Sequence, residues 1–259
     1  MAMAGKLVFV TGASSGIGAA CARRFAAQSA RLALWARRVE RLEQLAADLR
    51  ASHGVSVNVA QVDVRDREGV LREADLLIHG AGVPDVLLNN AGLASGLAKL
   101  QEGDFADWDR MIDTNIKGLL NVTRAVLPHM VARRTGHVVN IGSTAGHQVY
   151  PGGNVYNATK FAVRALSEGM NLDVAGTAIR VSSVDPGFVE TEFSEVRFHG
   201  DRERARAVYQ GFRPLSADDV ADVVSYVVNL PAHVNVIDLV LAPTAQRNIY
   251  VVDRAPADP

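Results

Sequence analysis

The stretch GGNVYNATKFAV places a tyrosine and a lysine four residues apart, a pair that could take part in proton transfer. In a helix, Tyr156 and Lys160 would lie one turn apart on the same face. The tyrosine hydroxyl has an unperturbed pKa of about 10, and a nearby ammonium group favours the phenolate and lowers that pKa. The pair could therefore exchange a proton with a substrate oxygen. A tyrosine packed in the core beside a lysine that extends to solvent gives the same spacing, so the rest of the sequence must decide.

The glycine-rich stretch TGASSGIGAACARRF follows the first apolar run and predicts a turn from a strand into a helix. Glycines there permit a tight bend, let a pyrophosphate approach the backbone, and allow close packing of helix on strand. The helix N-terminus then offers free N–H groups and a partial positive charge to phosphate. We therefore expect a dinucleotide cofactor to bind Gly12, Ser14, Ser15, Gly16, Ile17 and Gly18.

The second apolar run, RLALWARR, indicates which cofactor would bind. An NAD site usually presents a carboxylate near the end of this strand. Here Arg37 and Arg38 follow Ala36, and the first acidic residue is Glu40. Guanidinium groups pair with a 2′-phosphate, which a carboxylate would repel. The sequence favours NADP over NAD, and two solvated arginines at a helix start are the alternative.

Short runs rich in valine, leucine and isoleucine alternate with longer helical patterns along the chain. The predicted strands cover residues 6–10, 31–36, 55–62, 85–89, 136–141, 178–184 and 237–241. The predicted helices cover residues 16–28, 39–53, 67–79, 105–133, 154–175 and 217–230. Continuous apolar strands separated by helices indicate a parallel sheet covered on both faces. We predict one Rossmann-like, doubly wound α/β domain over residues 1–259, with a mostly parallel seven-stranded sheet.

One long connection, residues 190–215, follows the sixth predicted strand and has the sequence ETEFSEVRFHGDRERARAVYQGFRPL. Long loops of this kind in compact domains often cover a binding or catalytic site. We predict that this segment, called the flap below, is a mobile cover over a substrate.

The bulk composition narrows the class of partner. With 27 basic and 28 acidic residues the formal net charge is −1, so no overall field favours nucleic acid or an anionic membrane. The sequence has no apolar run of about 18 residues and no apolar stretch of signal-peptide type, which favours the cytoplasm. The histidines lack metal-ligand spacing, so we predict no catalytic metal. The single cysteine, Cys21, permits no internal disulfide.

Further motifs occur at or after the third to sixth predicted strands. They are Asp63-Val64, NNAG at 89–92, Ser143 in NIGSTAG, and Pro186-Gly187 in VDPGFVETEF, and Asn115 in MIDTNIKGLL lies within the predicted helix 105–133. Together with TGASSGIG and the Tyr156–Lys160 pair, these motifs resemble those of the short-chain dehydrogenases/reductases over nearly the whole chain. Within that family, the stretches GGNVYNATKFAVRALS and TEFSEVRFHGD are similar to NADP-dependent 3-hydroxy acid dehydrogenases, also called serine or allo-threonine dehydrogenases.

Hydride transfer between nicotinamide and a carbonyl carbon requires a proton at the substrate oxygen. Tyr156 would exchange that proton, and Lys160 would favour the phenolate and also bind the nicotinamide ribose. Ser143 would hold the substrate oxygen beside the phenol, and the resemblance implies that Asn115 joins Lys160 to a chain of water molecules. Besides Tyr156 and Lys160, the remaining cofactor contacts expected by position are Asp63, Val64, Asn89, Asn90, Ala91, Gly92, Pro186, Gly187, Val189 and Thr191.

A substrate anion would favour a bidentate arginine in the flap. Arg197 comes six residues after Thr191, whereas Arg213 is compatible with an ordinary surface position. Gln246 lies beyond the last predicted strand, and the resemblance suggests that such tails can reach a neighbouring subunit's pocket. The expected substrate contacts are Ser143, Tyr150, Asn154, Tyr156, Arg197 and Gln246.

The favoured function is an NADP-dependent oxidoreductase for small 3-hydroxy acids, such as serine, allo-threonine or 3-hydroxyisobutyrate, or for the matching semialdehydes. The alternatives are a sulfoacetaldehyde reductase or broad carbonyl reductase, and, outside catalysis, a regulator that senses NADPH. The resemblance implies a homotetramer, and the predicted helices 105–133 and 154–175 carry more apolar residues than one buried stripe requires.

Overall fold

The apolar runs form one seven-stranded sheet in which every neighbouring pair of strands is parallel. A computed structural model describes residues 3–254; the remaining residues of the predicted 1–259 domain lie outside this range. The strand order is β3-β2-β1-β4-β5-β6-β7. The strands are β1 (Leu7–Thr11), β2 (Arg31–Ala36), β3 (Val57–Gln61), β4 (Val86–Asn89), β5 (Thr135–Ile141), β6 (Ala178–Pro186) and β7 (Asp238–Leu241).

Helices cover both faces of the sheet, as the continuous apolar strands predicted. They are α1 (Gly16–Ala26), α2 (Val39–His53), α3 (Arg67–Ala81), α4 (Phe105–Ile112), α5 (Leu119–Arg133), α6 (Asn154–Asp173), α7 (Phe193–Arg197), α8 (Arg202–Ala207) and α9 (Ala217–Asn229). One buried cluster joins the sheet to α1, α2 and α9, and a second joins it to α3, α5 and α6. The predicted doubly wound α/β fold is confirmed.

The direction of winding reverses between β1 and β4, which are neighbours although two strands separate them in the chain. In doubly wound sheets, ligands bind in the crevice beyond the carboxyl ends of the strands at this reversal. The segments that follow β1, β4, β5 and β6 carry the glycine-rich turn, NNAG, Ser143 and Pro186-Gly187. Because parallel strands all end at the same edge, the fold gathers these motifs around one crevice.

The helix predicted over residues 105–133 is interrupted by one wide turn of π-helix, Asp113–Gly118. Asn115 lies in this turn, and its amide group binds both backbone groups of Leu93, with N–O distances of 2.8 and 2.9 Å. An extra residue in a helical turn redirects a side chain, and such turns are frequent at functional sites. The apolar pattern continues across the interruption and therefore does not predict it.

The flap is not irregular throughout, because it contains the short helices α7 and α8. The Asp201 carboxylate caps α8 by accepting a hydrogen bond of 2.9 Å from the Arg204 backbone N–H. The backbone groups of Gly96 and Arg197 hold α7 against the segment after β4, since the Gly96 N–H donates to the Arg197 carbonyl over 2.8 Å.

None of the helices within residues 3–254 has the length and apolar character needed to cross a membrane.

Candidate active site

A cleft of about 540 Å³ opens at the carboxyl ends of the central strands. It runs from the glycine-rich turn and β2 at one end to the flap and the start of α6 at the other. The predicted cofactor residues that line it are Gly12, Ser14, Ser15, Gly16, Ile17, Arg37, Arg38, Val64, Asn90, Ala91, Gly92, Tyr156, Lys160, Pro186, Gly187, Val189 and Thr191. The predicted substrate residues that line it are Ser143, Tyr150, Tyr156, Arg197 and Gln246.

Tyr156 and Lys160 project from the first two turns of α6 into this cleft. Both side chains are largely buried, with 7% of each residue exposed. The Lys160 ammonium donates a hydrogen bond of 2.9 Å to the Ile141 carbonyl and lies 5.9 Å from the centre of the Tyr156 ring. The helix therefore brings the pair together as the spacing predicted. Ser143 follows β5 and lines the same cleft; its hydroxyl donates to the Pro186 carbonyl over 3.4 Å and accepts from the Ala145 N–H over 3.1 Å.

The protein's own atoms move the pKa of Tyr156 in the direction opposite to the one we expected. Burial raises this pKa above its usual value and outweighs the hydrogen bond from Ser143 and the charge of Arg197, both of which lower it. Burial also lowers the pKa of Lys160 to about 8, against an opposing effect of Asp185. Loss of water around the phenol therefore exceeds the effects that lower its pKa, and Lys160 is not among those effects. A phenol that stays protonated near neutral pH is suited to donate a proton.

Asn115 lies beside this pair but is occupied by structural contacts. Besides Leu93, its side-chain N–H donates to the Thr159 hydroxyl over 3.0 Å. A methyl group added at Gly92 would lie 3.3 Å from the Asn115 oxygen and 3.7 Å from the Lys160 nitrogen. Asn115 therefore fixes the Gly92-Leu93 backbone next to Lys160. The water chain that the resemblance implies stays a prediction.

The glycine-rich turn fits a group that needs bare backbone. Gly12 has a φ of +66°, and a side chain there would reach within 2.9 Å of the Ala91 Cα. A side chain at Gly18 would lie 2.5 Å from the Asn90 amide nitrogen, which itself binds the Thr11 carbonyl. Within residues 3–254, the Ser15 side chain makes no capping hydrogen bond to α1. The first N–H groups of α1 therefore point at the cleft without a side-chain cap, as in anion sites at helix N-termini.

Arg38 spans the cleft mouth at the end of β2. Its guanidinium donates to the Ser14 hydroxyl at 3.1 and 3.2 Å, to the Ser15 hydroxyl at 2.7 Å, and to the Glu192 carboxylate at 2.7 Å. Arg41, one turn further along, donates to the other oxygen of Glu192 at 2.5 Å. Sequence reasoning missed Glu192 and Arg41. The available signal for Arg41 was its helical spacing of three residues from Arg38.

Four of the predicted cofactor and catalytic residues support the cleft from outside its lining. Gly18 packs behind the turn, and Asn115 is described above. Asn89 is buried and donates to Thr123 and Asn140, each over 2.9 Å. The Asp63 carboxylate pairs with Arg65 at 2.6 Å, which lowers the pKa of that carboxyl. Its side chain is thus directed to Arg65, and the neighbouring Val64 lines the cleft instead.

The other end of the cleft combines an arginine with two tyrosines. The Arg197 guanidinium hydrogen-bonds to the Tyr150 hydroxyl, and its carbon lies 5.3 Å from the Tyr150 ring centre and 5.4 Å from that of Tyr156. Its Nε also donates to the Gly96 carbonyl over 3.3 Å. Phe193, which sequence reasoning missed, meets Tyr156 edge to face with centres 5.7 Å apart. A fixed positive charge therefore lies next to the candidate proton donor.

The other expected substrate contacts differ in position. Asn154 lies in a small adjoining cavity and donates to the Ala98 carbonyl at 3.3 Å. Gln246 is buried against its own chain, where its side-chain oxygen accepts a hydrogen bond of 3.0 Å from the Phe188 N–H. Arg213 is exposed. Gln246 thus helps hold the segment after β6 of the same subunit.

The structure also brings together a histidine and two carboxylates that the sequence left apart. His147 lies 2.5 Å from Asp185 and 3.7 Å from Asp238, and ligand atoms of all three lie within 4.8 Å of one another. Burial raises the pKa of the Asp185 carboxyl to about 6. Arg164 lies 3.3 Å from Asp238, so a cation already balances the group. The expectation of no catalytic metal stays a prediction.

A family model described as short chain dehydrogenase matches residues 6–201. The chain therefore belongs to the short-chain dehydrogenase family, whose fold and crevice are those described above.

Two curated relatives and one solved structure are similar over nearly the whole chain. Sulfoacetaldehyde reductase 2 of Chromohalobacter salexigens is 46% identical over 250 residues, covering 96% of this chain and 98% of the relative. The NADP-dependent 3-hydroxy acid dehydrogenase YdfG of Escherichia coli strain K12 is 46% identical over 242 residues, covering 93% and 96%. The closed form of serine dehydrogenase complexed with NADP+ is 43% identical with a TM-score of 0.89, covering 96% of this chain and all of that one.

Proposed function

We propose that this chain is an NADP-dependent dehydrogenase that oxidises the C3 hydroxyl of small 3-hydroxy acids, or reduces the matching semialdehydes. The substrates are of the serine, allo-threonine or 3-hydroxyisobutyrate type. The observation that carries the proposal is the position of Arg197, whose guanidinium lies 5.4 Å from the Tyr156 ring in one cleft. A carboxylate bound to this arginine would direct the carbon two atoms away towards the phenol. Guanidinium binds carboxylate in a bidentate geometry, which would also fix the substrate's orientation.

NADP, when bound, supplies or accepts the hydride. The residues present fit it, because the uncapped N-terminus of α1 suits the pyrophosphate and Arg38 suits a 2′-phosphate. Tyr156 holds the exchangeable proton at its hydroxyl, and Ser143 orients the substrate oxygen towards it. Lys160 is anchored by the Ile141 carbonyl and is placed to bind the nicotinamide ribose. The flap would exclude water from the reacting groups.

A sulfonate substrate is the second candidate, supported by the relative that is a sulfoacetaldehyde reductase. A sulfonate and a carboxylate both favour arginine, so Arg197 alone does not distinguish them. A broad carbonyl reductase would need no anion contact at all. A regulator that senses NADPH would need neither the buried Tyr156 nor the Ser143 hydroxyl beside it.

A substrate panel tests these readings against one another. Purified protein is given L-serine, allo-threonine, 3-hydroxyisobutyrate and neutral alcohols with NADP and with NAD, and sulfoacetaldehyde and neutral aldehydes with NADPH. We expect turnover of 3-hydroxy acids with NADP to exceed all other combinations. Faster turnover of sulfoacetaldehyde would show that sulfonates, not 3-hydroxy acids, are the substrate class. Binding of NADPH without turnover of any carbonyl would favour the regulator.

We further propose that the chain forms a homotetramer in the cytoplasm and that residues 190–215 open and close over the substrate. Exposed apolar side chains on α5 and α6 support the assembly, namely Leu120, Phe161 and Leu172. An exposed apolar patch of this kind commonly marks contact with another protein chain.

A further inference from the structure

We propose that Glu192 sets the selectivity for the 2′-phosphate, by holding the arginines that would otherwise bind it. The inference rests on the proposed binding of NADP and concerns one residue of the flap. In the structure the Glu192 carboxylate accepts one hydrogen bond from Arg38 at 2.7 Å and one from Arg41 at 2.5 Å. A 2′-phosphate, which also seeks guanidinium donors, would compete with this carboxylate for the same two side chains.

The position of Glu192 relative to the cleft supports this role. Glu192 and Arg38 both line the cleft, next to the hydroxyls of Ser14 and Ser15 that Arg38 also binds. The carboxylate therefore lies across the opening between the glycine-rich turn and the flap. Both arginines lower the pKa of Glu192, so it is negatively charged at neutral pH. A phosphate bound by Arg38 would therefore lie close to the negatively charged Glu192 carboxylate, which already pairs with Arg38 and Arg41.

Glu192 also connects this contact to the flap. It is the N-cap residue of α7, and its carbonyl accepts a hydrogen bond of 3.0 Å from the Val196 N–H. The ion pairs therefore tie the start of α7 to the loop after β2. An acidic residue at this point lowers affinity for a 2′-phosphate but keeps the flap attached, so it affects NADP and NAD binding differently.

Direct binding measurements on Glu192→Gln test the proposal. Glutamine keeps the side-chain length and one acceptor for an arginine but removes the charge. Dissociation constants are measured by calorimetry for NADPH and NADH, and for adenosine 2′,5′-bisphosphate and adenosine 5′-monophosphate, which lack nicotinamide. We expect the preference for the 2′-phosphorylated ligand to rise by about fivefold in both pairs, since two partly exposed ion pairs are removed.

Two further variants complete the test. Glu195→Gln removes a flap carboxylate that pairs with Arg202 at 3.5 Å, outside the cleft lining, and should leave the preference unchanged. In a background that carries both Arg38→Gln and Arg41→Gln, Glu192→Gln should lose most of its effect, because both arginines that it releases are gone. An unchanged or reduced preference in Glu192→Gln alone contradicts the proposal, and a reduction would mean that Glu192 holds the arginines ready for phosphate.

The same data separate this inference from the proposed function. If wild-type protein binds neither NADPH nor adenosine 2′,5′-bisphosphate, the proposed cofactor is wrong. If wild-type protein binds both and prefers them to their unphosphorylated partners, the cofactor stands, and the Glu192→Gln ratio alone decides the role of Glu192.

Discussion

At the scale of single residues, the site depends on a buried phenol next to two cations of different kinds. Lys160 is held by the Ile141 carbonyl below the ring, whereas Arg197 approaches from the flap side. The charge of Arg197 lowers the pKa of Tyr156, but burial raises this pKa by more. We therefore propose that the lysine binds the nicotinamide ribose and that the arginine binds the substrate anion.

Replacing Arg197 with alanine tests the anion contact. We expect KM for 3-hydroxy acids to rise by about tenfold to a hundredfold, the range for loss of a hydrogen-bonded charge pair. KM for a neutral alcohol should change little. The control is Arg213→Ala, which removes an exposed arginine from the same flap. Equal losses on acids and neutral alcohols would remove the carboxylate argument.

Replacing Lys160 with methionine tests the cost of burying its charge. The pKa of Lys160 falls from 10.5 to about 8 on folding, so the folded state disfavours the ammonium form. This destabilisation is fully present below pH 8 and disappears as the pH rises through the unfolded pKa of 10.5. We expect Lys160→Met to lose turnover yet raise the free energy of unfolding at pH 7 by about 1–3 kcal/mol. Urea unfolding at pH 7 and pH 10 should show the gain shrinking with pH; a less stable variant at pH 7 contradicts this reading.

At the scale of elements, the sequence predicted most of what positions the site, because strands and helices here differ in apolar pattern. The seven strands, the cover on both faces and the helix carrying Tyr156 and Lys160 follow from that pattern. The interruption at Asp113–Gly118 could not be predicted, since it depends on the distant Leu93 backbone meeting the Asn115 amide. The Glu192 contacts likewise join residues more than 150 positions apart, a distance that local spacing does not address.

Replacing Asn115 with alanine tests the support that this turn gives to the site. The change leaves the N–H and carbonyl of Leu93 without their side-chain partner in a buried region. Unpaired buried polar groups cost about 1–3 kcal/mol each, so we expect a loss of about 2–4 kcal/mol in the free energy of unfolding. Asn154→Ala removes two hydrogen bonds of a less buried asparagine, one to the Ala98 carbonyl at 3.3 Å and one from the Val155 N–H at 2.8 Å, and should cost about 1 kcal/mol. Denaturant unfolding of both variants measures the difference, and similar losses would contradict the assigned role.

At the scale of the whole molecule, the fold places the chemistry at one edge and leaves an apolar surface on the helices behind it. Leu120 on α5 and Phe161 on α6 are 42% and 40% exposed, although both belong to helices that also pack on the sheet. An exposed apolar face on α5 and α6, besides the face that packs on the sheet, accounts for the excess of apolar residues noted in the sequence of these helices. It is the surface on which we expect other copies of the chain to pack.

The double variant Leu120→Glu/Phe161→Glu tests this surface. Burial of two carboxylates between subunits is costly, so we expect light scattering to show a smaller species than the tetramer proposed for the wild type. The control is Leu76→Glu on α3, a residue that is 60% exposed and lies outside the proposed surface. An intact tetramer in the double variant, or a monomeric wild-type protein, would show that the proposed surface is wrong.

The most direct test of the account is turnover by Tyr156→Phe, measured together with NADPH binding. Phenylalanine keeps the ring that packs against Phe193 and removes only the hydroxyl. We expect unchanged folding, NADPH binding within about twofold of wild type, and a loss of kcat of about a hundredfold or more, the usual contribution of a general acid. Turnover at the wild-type rate with NADPH bound would contradict it.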